Sequence, residues 1–551
     1  MKSANITPIR MDRIDDYLHG RGFLRMLPKR QLVVAVCYGI FRIATATVWP
    51  YFLYRYLKSD ALPSPVVLVL GVLAVVLLFV GSGVASYRQS LININLLHAF
   101  SGRLTQRIWQ KMNGLDWLTF HRKSRVYYFD MLMVEAWRLR GGMGALLEVL
   151  VVNSIIAGAL IVFIAFVSLP LFLACLGALI LPSGLHVYSM RRQRPYIQHF
   201  HAAWRAQHHW VSKSVDQFDL IKMGRGYAES ARQHGEQTDR FLQSNARKLR
   251  QQSRWRVVNQ LASNFVRVGI FLLGIYWLQT GRVQLDELLV VLLLVSIVQS
   301  NLMQLPGAAN QFMEGQDAAR TLAAFFDLQE EQVEQASNND HQAIERLSIK
   351  DMSYQYDDNV GIAALDLDLR RGNIYLWQGR NGSGKSTAAH VLLGLLKPQQ
   401  GSLSINGKPA DWNVLKTLRA RFGFLDQDSP IFMGSIKENA VFGHHQPRQA
   451  WADLGTSWLS GLLPGGSRLA DRQVGERGEG LSGGEAKRIA LIRELLRSYE
   501  MLILDEPLNH LDEHTISILK RELIQLKQHA IIVIISHQPG FETLADEIVS
   551  F

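Results

Sequence analysis

Two different rhythms of apolar residues run along this chain, and they change over near residue 330. Before that point six apolar stretches, roughly 31–54, 65–87, 145–167, 170–190, 258–280 and 286–305, each reach the ~20 residues that a membrane-spanning helix needs. The second and third stretches, and the fourth and fifth, are separated by long segments rich in helix formers and poor in Gly and Pro. This predicts helices that continue well beyond the membrane and turn round at short transverse pieces, near Trp117–Met131 and Val215–Gly226. Residues 329–344 are polar, with no sustained apolar period, and read as a linker. From 345 to 551 short β-branched or Leu-rich runs, such as Met501–Leu504 and Ile531–Ile535, alternate with helical patterns, as in a mostly parallel sheet. The expected architecture is an all-α, six-helix transmembrane domain over 1–328 and a soluble α/β domain over 345–551.

Charge orients this arrangement. Lys and Arg gather before the first span (Arg10, Arg13, Arg21, Arg25, Lys29, Arg30) and in the two long extensions, which places those segments and both termini on the cytoplasmic side. The first span follows about 30 polar and basic residues without a small-residue cleavage site, so it reads as a retained span and not a signal peptide. The formal net charge of +12 could suggest nucleic acid, but 14 basic residues lie between Arg191 and Arg256 beside five acids, in a segment flanked by spans. Membrane lipid is the simpler partner. Cys37 and Cys175 both fall inside spans and offer neither a disulfide framework nor a metal-ligand spacing. His186, His199, His201, His208 and His209 punctuate the fourth span and its extension; His201 and His208 share a helix face, but no carboxylate or Cys completes a ligand set, and the run reads as a solvated amphipathic face.

The α/β half carries the chemistry. Gly379-Arg380-Asn381-Gly382-Ser383-Gly384-Lys385-Ser386-Thr387 fills every fixed position of the phosphate-binding loop pattern, after a run that reads as a buried strand and before one that reads as a helix. The glycines let backbone N–H groups turn inward, and the helix adds the positive end of its dipole. Lys385 is placed to reach the β- and γ-phosphates, and the Ser386 hydroxyl to ligate Mg²⁺. Downstream, Met501-Leu-Ile-Leu-Asp505-Glu506 is an apolar strand ending in two acids. In a nucleotide-hydrolysing domain of this kind Asp505 would hold Mg²⁺, and Glu506 would orient and polarise the attacking water.

Leu481-Ser482-Gly483-Gly484-Glu485, between these motifs, resembles the Leu-Ser-Gly-Gly-Gln signature of the ATP-binding cassette family, with Glu in place of Gln. Physically, the segment offers a hydroxyl and backbone N–H groups at a helix start, a second anion site. The resemblance covers nearly the whole chain and implies an ABC half-transporter of the exporter type: a P-loop NTPase cassette that uses ATP with Mg²⁺, pairs head-to-tail with a second cassette, and sandwiches each ATP between its own loop and the partner's signature. It further implies that Tyr356 stacks on adenine, Gln427 approaches Mg²⁺, Asp512 lies in the D-loop and His537 contacts the γ-phosphate. The transverse pieces would be coupling helices, and Val474-Gly475-Glu476-Arg477-Gly478 resembles the exporter segment that touches them. Two departures stand out: Pro507-Leu-Asn-His-Leu-Asp512 in the D-loop, and no closing hairpin and helix before Phe551. All catalytic positions are filled, so two identical chains suffice, in a bacterial inner membrane.

For the cargo, Ser296, Gln299, Ser300 and Gln304 fall on one face of the sixth span, with Asn264, Arg267 and Arg42 adding intramembrane polarity. This suggests a wet, hydrogen-bonding cavity, with hydrogen bonding between helices or a polar dimer seam as the alternative. No papain-like peptidase domain precedes the spans, so the cargo expected is a mature, modified antibacterial peptide, with lipid, drug or siderophore transport, import, or ATP sensing without transport as the alternatives.

Overall fold

A computed structural model describes residues 41, 48, 50, 52 and 65–551, without 147–148, 150–151, 217, 225, 332–341, 357–360, 429, 457, 464–469 and 476–477. Most of the expected first span with Arg42, the basic residues before it, Cys37, most of 329–344, and Glu476 with Arg477 lie outside the described residues. The chain forms two compact units, Met1–Leu115 with His121–Gln329, and Asp116–Phe120 with Glu330–Phe551.

The first unit is helical: α1 Pro65–Asn113, then, after the short α2 Trp117–His121, α3 Arg125–Phe129, a π-helical turn Asp130–Glu135, α4 Ala136–Gly144, α5 Val152–Val167, α6 Leu169–Asp216, α7 Phe218–Met223, α8 Tyr227–Gln279, α9 Leu285–Leu302 and α10 Leu305–Phe326. Among the described residues four helices are long and apolar enough to cross a membrane, in Val69–Asn113, Leu169–Val215, Tyr227–Gln279 and Leu285–Phe326; Asn153–Val167 is a shorter apolar helix. At about 1.5 Å rise per residue, the 49, 48 and 53 residues of α1, α6 and α8 each exceed twice the ~30 Å hydrocarbon thickness. Two of the short helices, α2 and α7, fall where the chain was expected to turn.

Helices without water between them associate through close fit and polar contacts. Gly142 of α4 faces Gly315 of α10 so tightly that a Cβ on the first would lie 2.7 Å from the Cα of the second. Polar side chains bridge other pairs: Asn259 Nδ2 of α8 donates to Ser189 Oγ of α6 at 3.4 Å, Gln299 Nε2 of α9 to the Ser263 carbonyl of α8 at 3.0 Å, and Asn153 Nδ2 of α5 to Gln304 Oε1 at 3.1 Å. For two residues of the polar face the structure has the interhelical alternative: Gln299 is buried and bonded to α8, and Gln304 to Asn153, while Ser296 and Ser300 remain exposed. Hydrocarbon gives an amide no solvent partner, so the neighbouring helix supplies one.

The second unit holds a five-stranded parallel sheet, order β11-β3-β10-β9-β6, and a four-stranded antiparallel sheet, order β2-β1-β4-β5. The strands are β1 Arg346–Gln355, β2 Gly361–Arg370, β3 Ile374–Gln378, β4 Gln400–Ile405, β5 Lys408–Ala410, β6 Phe422–Leu425, the small pair β7 Gly434–Ser435 and β8 Gln473–Val474, then β9 Met501–Asp505, β10 Ile531–Ile535 and β11 Glu547–Ser550. Their helices are α11 Lys385–Leu392, α12 Val414–Leu418, α13 Ile436–Ala440, α14 Pro447–Thr456, α15 Gly483–Leu495 and α16 Glu513–Leu526. Side chains alternate across the parallel sheet. Tyr375, Trp377, Met501, Ile503, Ile531 and Val533 enter one core, and Ile374, Leu376, Leu502, Leu504, Ile532 and Ile534 the other. Both faces are covered, which is why these strands read as continuous apolar runs. The segment Asp116–Phe120 packs within this unit, with the Trp117 ring 4.6 Å from that of His390.

Candidate functional site

The loops that follow β3, β9 and β10 leave the carboxyl ends of adjacent parallel strands, where open α/β sheets form their crevices. There they line a cleft of about 530 Å³ with Asn381, Gly382, Gly384, Lys385, Ser386, Thr387, Gln427, Asp505, Glu506 and His537, together with Gly361, Asn509, Ile535 and Gln538. Gly384 has φ +100, and a Cβ there would meet Ile362 Cγ1 at 2.7 Å, so only glycine fits the start of α11. Lys385 Nζ donates to the carbonyls of Gly379 at 2.8 Å and Arg380 at 3.0 Å, which draws the loop round the head of its own helix. Burial lowers its pKa, against the opposing pull of Asp505 and Glu506.

Ser386 Oγ donates to Asp505 Oδ2 at 3.2 Å. Burial raises the Asp505 carboxyl above its ordinary range, opposed by that hydrogen bond and reinforced by Asp426 and Glu506. A hydroxyl, a carboxylate pressed by other carboxylates, and the Gln427 amide in the same cleft form a hard-oxygen set of the kind Mg²⁺ takes. Among the described residues there is no cluster of three or more His, Cys, Asp or Glu suited to another metal.

Glu506 follows β9 in the left-handed region, φ +45, a conformation that costs a glutamate on the order of 1–3 kcal/mol. Two contacts hold it there: its N–H donates to the Ile535 carbonyl at 2.9 Å, and its Oε1 accepts from the His537 N–H at 3.0 Å. His537 Nε2 lies 3.9 Å from the same oxygen. The carboxylate is thus fixed at the mouth of the cleft with the histidine beside it.

Several other expected residues stand apart from this cleft. Tyr356 packs half-buried against the sheet core, and the ring of Tyr354 meets it edge-on at 4.9 Å. Ser482 caps α15; its hydroxyl accepts from the Glu485 N–H at 3.2 Å, and Glu485 Oε2 accepts from the Ser482 N–H at 2.7 Å. Gly483 and Gly484 form the first turn, where a Cβ on Gly484 would lie 2.5 Å from the His510 carbonyl oxygen. Asp512 caps α16, accepting from the Thr515 N–H at 2.7 Å. Two of the histidines of α6 each meet a single carboxylate: His208 Nδ1 lies 3.2 Å from Asp130 Oδ1, and His201 Nε2 3.4 Å from Glu314 Oε1. Those acids come from other helices, so the sequence near the histidines could not reveal them.

Sequence reasoning missed three residues. Asn509 and Gln538 line the cleft and bond each other at 2.9 Å. Lys487 reaches from α15 to the carbonyls of Asp426 at 3.1 Å and Gln427 at 3.2 Å, joining the signature helix to the loop after β6. Gln538 could have been found beside His537, but nothing local marks Lys487.

Residues 362–509 match the family model for the ABC transporter, and residues 32–302 that for the ABC transporter transmembrane region. The chain belongs to the ABC transporter family. This ABC transporter is 25% identical over 497 residues to an ATP-dependent lipid A-core flippase 2 of Colwellia psychrerythraea, covering 87% of this chain and 83% of that one. It is 25% identical over 345 residues, 61% of the chain, to a multidrug resistance ABC transporter ATP-binding and permease protein of Lactococcus lactis, and the match spans 58% of that relative's length. The fold is that of a bacterial Atm1-family ABC exporter solved with ATP bound, with TM-score 0.82 and 20% identity over 95% of this chain and 93% of the other. The transporter therefore joins a helical transmembrane domain to a nucleotide-binding cassette.

Proposed function

We propose that this chain is half of an ATP-driven exporter of a bacterial inner membrane, with its cassette in the cytoplasm and a second copy completing each nucleotide site. The observation that carries this reading is the convergence of Lys385, Ser386, Asp505, Glu506 and His537 on one cleft, while Ser482, Gly483 and Gly484 sit at a helix start outside it. Both groups are built to hold phosphate, and one nucleotide meets both only when a second chain brings its signature turn to the first chain's loop. The exposed apolar side chains of Phe218, Leu220 and Met223 on the polar extension also ask for a partner surface.

In this reading six spans form the domain 1–328, 329–344 links it to the cassette 345–551, and the segments around α2 and α7 couple the two. The phosphates lie on the turn Gly379–Thr387, with Lys385 on the β- and γ-phosphates, and adenine stacks near Tyr356 once the nucleotide is bound. Ser386, Asp505 and Gln427 would hold Mg²⁺, which would neutralise charge on the β- and γ-phosphate oxygens. Glu506 takes the proton of the attacking water as that water adds to the γ-phosphorus and the bond from phosphorus to the β,γ-bridging oxygen breaks, leaving ADP and phosphate, and His537 steadies the transferring group with its imidazole. Asp512, in the D-loop, fixes the start of α16. Closure and reopening of the two cassettes switches the spans between inward- and outward-facing states.

The cargo reading is a mature, modified peptide, supported by Ser296, Ser300 and Arg267, polar side chains exposed in otherwise apolar helices, the two hydroxyls donating to carbonyls of their own helix and the guanidinium to Asn264. Lipid is the second reading, favoured by the flippase relative that matches 87% of the chain. Inside-out vesicles containing the full chain separate the two: ATP-dependent accumulation of a labelled modified peptide supports the first, and movement of a labelled lipid A-type lipid alone supports the second. Glu506→Gln is expected to abolish either movement and to lower ATP turnover by about 10²–10⁴-fold while ATP still binds. Turnover near that of the native chain would remove Glu506 from its assigned role.

A further inference from the structure

The two long helices α6 and α8 run antiparallel, and where their apolar spans end they enclose a groove of about 970 Å³. Arg191, Arg192 and Arg247 line it, with Tyr188, Tyr196 and Trp255. Residues 191–213 hold five Lys or Arg and residues 240–256 hold six, with no Asp or Glu in either stretch. The acids of this extension are confined to 216–239, at the far turn. Among the described residues, no carboxylate lies within ion-pair distance of Arg191, Arg192 or Arg247.

Aromatic contacts stiffen one wall. The rings of Tyr188 and Trp255 meet edge-on at 5.5 Å; Arg192 Nε donates to the Tyr188 hydroxyl at 3.0 Å, and its guanidinium carbon lies 5.4 Å from that ring's centre. Pro195, also in the lining, supplies no N–H to the Arg191 carbonyl one turn back, which loosens the helix beside the groove. Guanidinium forks are matched to phosphate oxygens, and Tyr and Trp favour the boundary between hydrocarbon and water. Cations at that depth, without protein anions to neutralise them, meet a layer of lipid phosphates.

We propose that this groove is a binding site for the phosphate headgroup of an anionic phospholipid of the cytoplasmic leaflet, with Arg191 and Arg247 on the phosphate oxygens and the Tyr188–Trp255 wall against the glycerol and first methylenes. The assignment rests on the orientation proposed above but not on the identity of the cargo. Its size exceeds that of a lone phosphate ion, and its apolar wall would give such an ion nothing.

The test is native mass spectrometry of the full-length protein in a neutral detergent, titrated with dihexanoyl phosphatidylglycerol, dihexanoyl phosphatidylcholine and inorganic phosphate. Saturable binding of phosphatidylglycerol is expected, weakened about tenfold in Arg191→Gln/Arg247→Gln and restored to within about threefold in Arg191→Lys/Arg247→Lys. Inorganic phosphate at the same concentration should not displace it, and phosphatidylcholine should bind the native and Gln variants equally. The thermal midpoint measured without lipid shows whether the double variant folds; if it does not, the single Arg247→Gln change is read in the same way. Unchanged phosphatidylglycerol binding in the folded variant overturns the site. Displacement by free phosphate overturns the lipid as its occupant. Both results leave the ATP-dependent activity, and hence the proposed function, to stand or fall separately.

Discussion

Glu522 is buried in α16 with Oε2 unpartnered, and burial pushes its carboxyl up to about 7. The folded protein therefore holds this proton more tightly than the unfolded chain. Its stability cost is absent below the unfolded carboxyl range, grows as pH rises through it, and is complete above about 7. Glu522→Gln is expected to raise the thermal midpoint of the full chain at pH 8, by on the order of 1–3 kcal/mol of stability, and to leave it nearly unchanged at pH 4. Thermal unfolding of both proteins across that range checks the sign; an equal shift at both pH values contradicts it. The residues that read clearly from sequence are those whose chemistry is written contiguously, as in Gly379–Thr387 and Asp505–Glu506. Lys487, Glu522 and the Asp130–His208 pair did not, because burial and partners from distant elements define them.

At the scale of elements, the start of α15 explains the unusual fifth signature residue. Glu485 closes a capping box with Ser482, a role Glu and Gln both perform, and its pKa is lowered first by the Ser482 backbone hydrogen bond. A carboxylate there nevertheless faces any phosphate the turn receives. Glu485→Gln is expected to lower the ATP concentration for half-maximal hydrolysis about two- to fivefold, while losing a few tenths of a kcal/mol of helix stability. Steady-state ATPase titrations check the first effect, and a rise in that concentration would contradict it. Helix packing gives a second prediction: Gly142→Ala places a methyl against the Gly315 backbone and should destabilise the first unit by about 1–3 kcal/mol, seen as a lower thermal midpoint. The periodicity of apolar residues located the long helices, whereas it left two readings open for the polar face of α9. Whether an amide in a span meets a cavity or a neighbouring helix depends on tertiary contacts such as that between Gln299 and Ser263.

For the whole molecule, the central observation is the separation of two glycine-rich turns: one lines the cleft with Lys385, and the other begins α15 with Ser482 outside it. If each ATP is held between two chains, a lesion in the cleft and one in the α15 turn should complement each other in one pairing only. The decisive measurement is the ATPase rate of purified, doubly tagged dimers that combine one chain carrying Glu506→Gln with one carrying Ser482→Arg. Each parent dimer is expected to be silent, and the mixed dimer to regain activity from one of its two sites, because one site then contains both lesions and the other neither. A mixed dimer as silent as its parents would place each nucleotide site within a single chain and contradict the account.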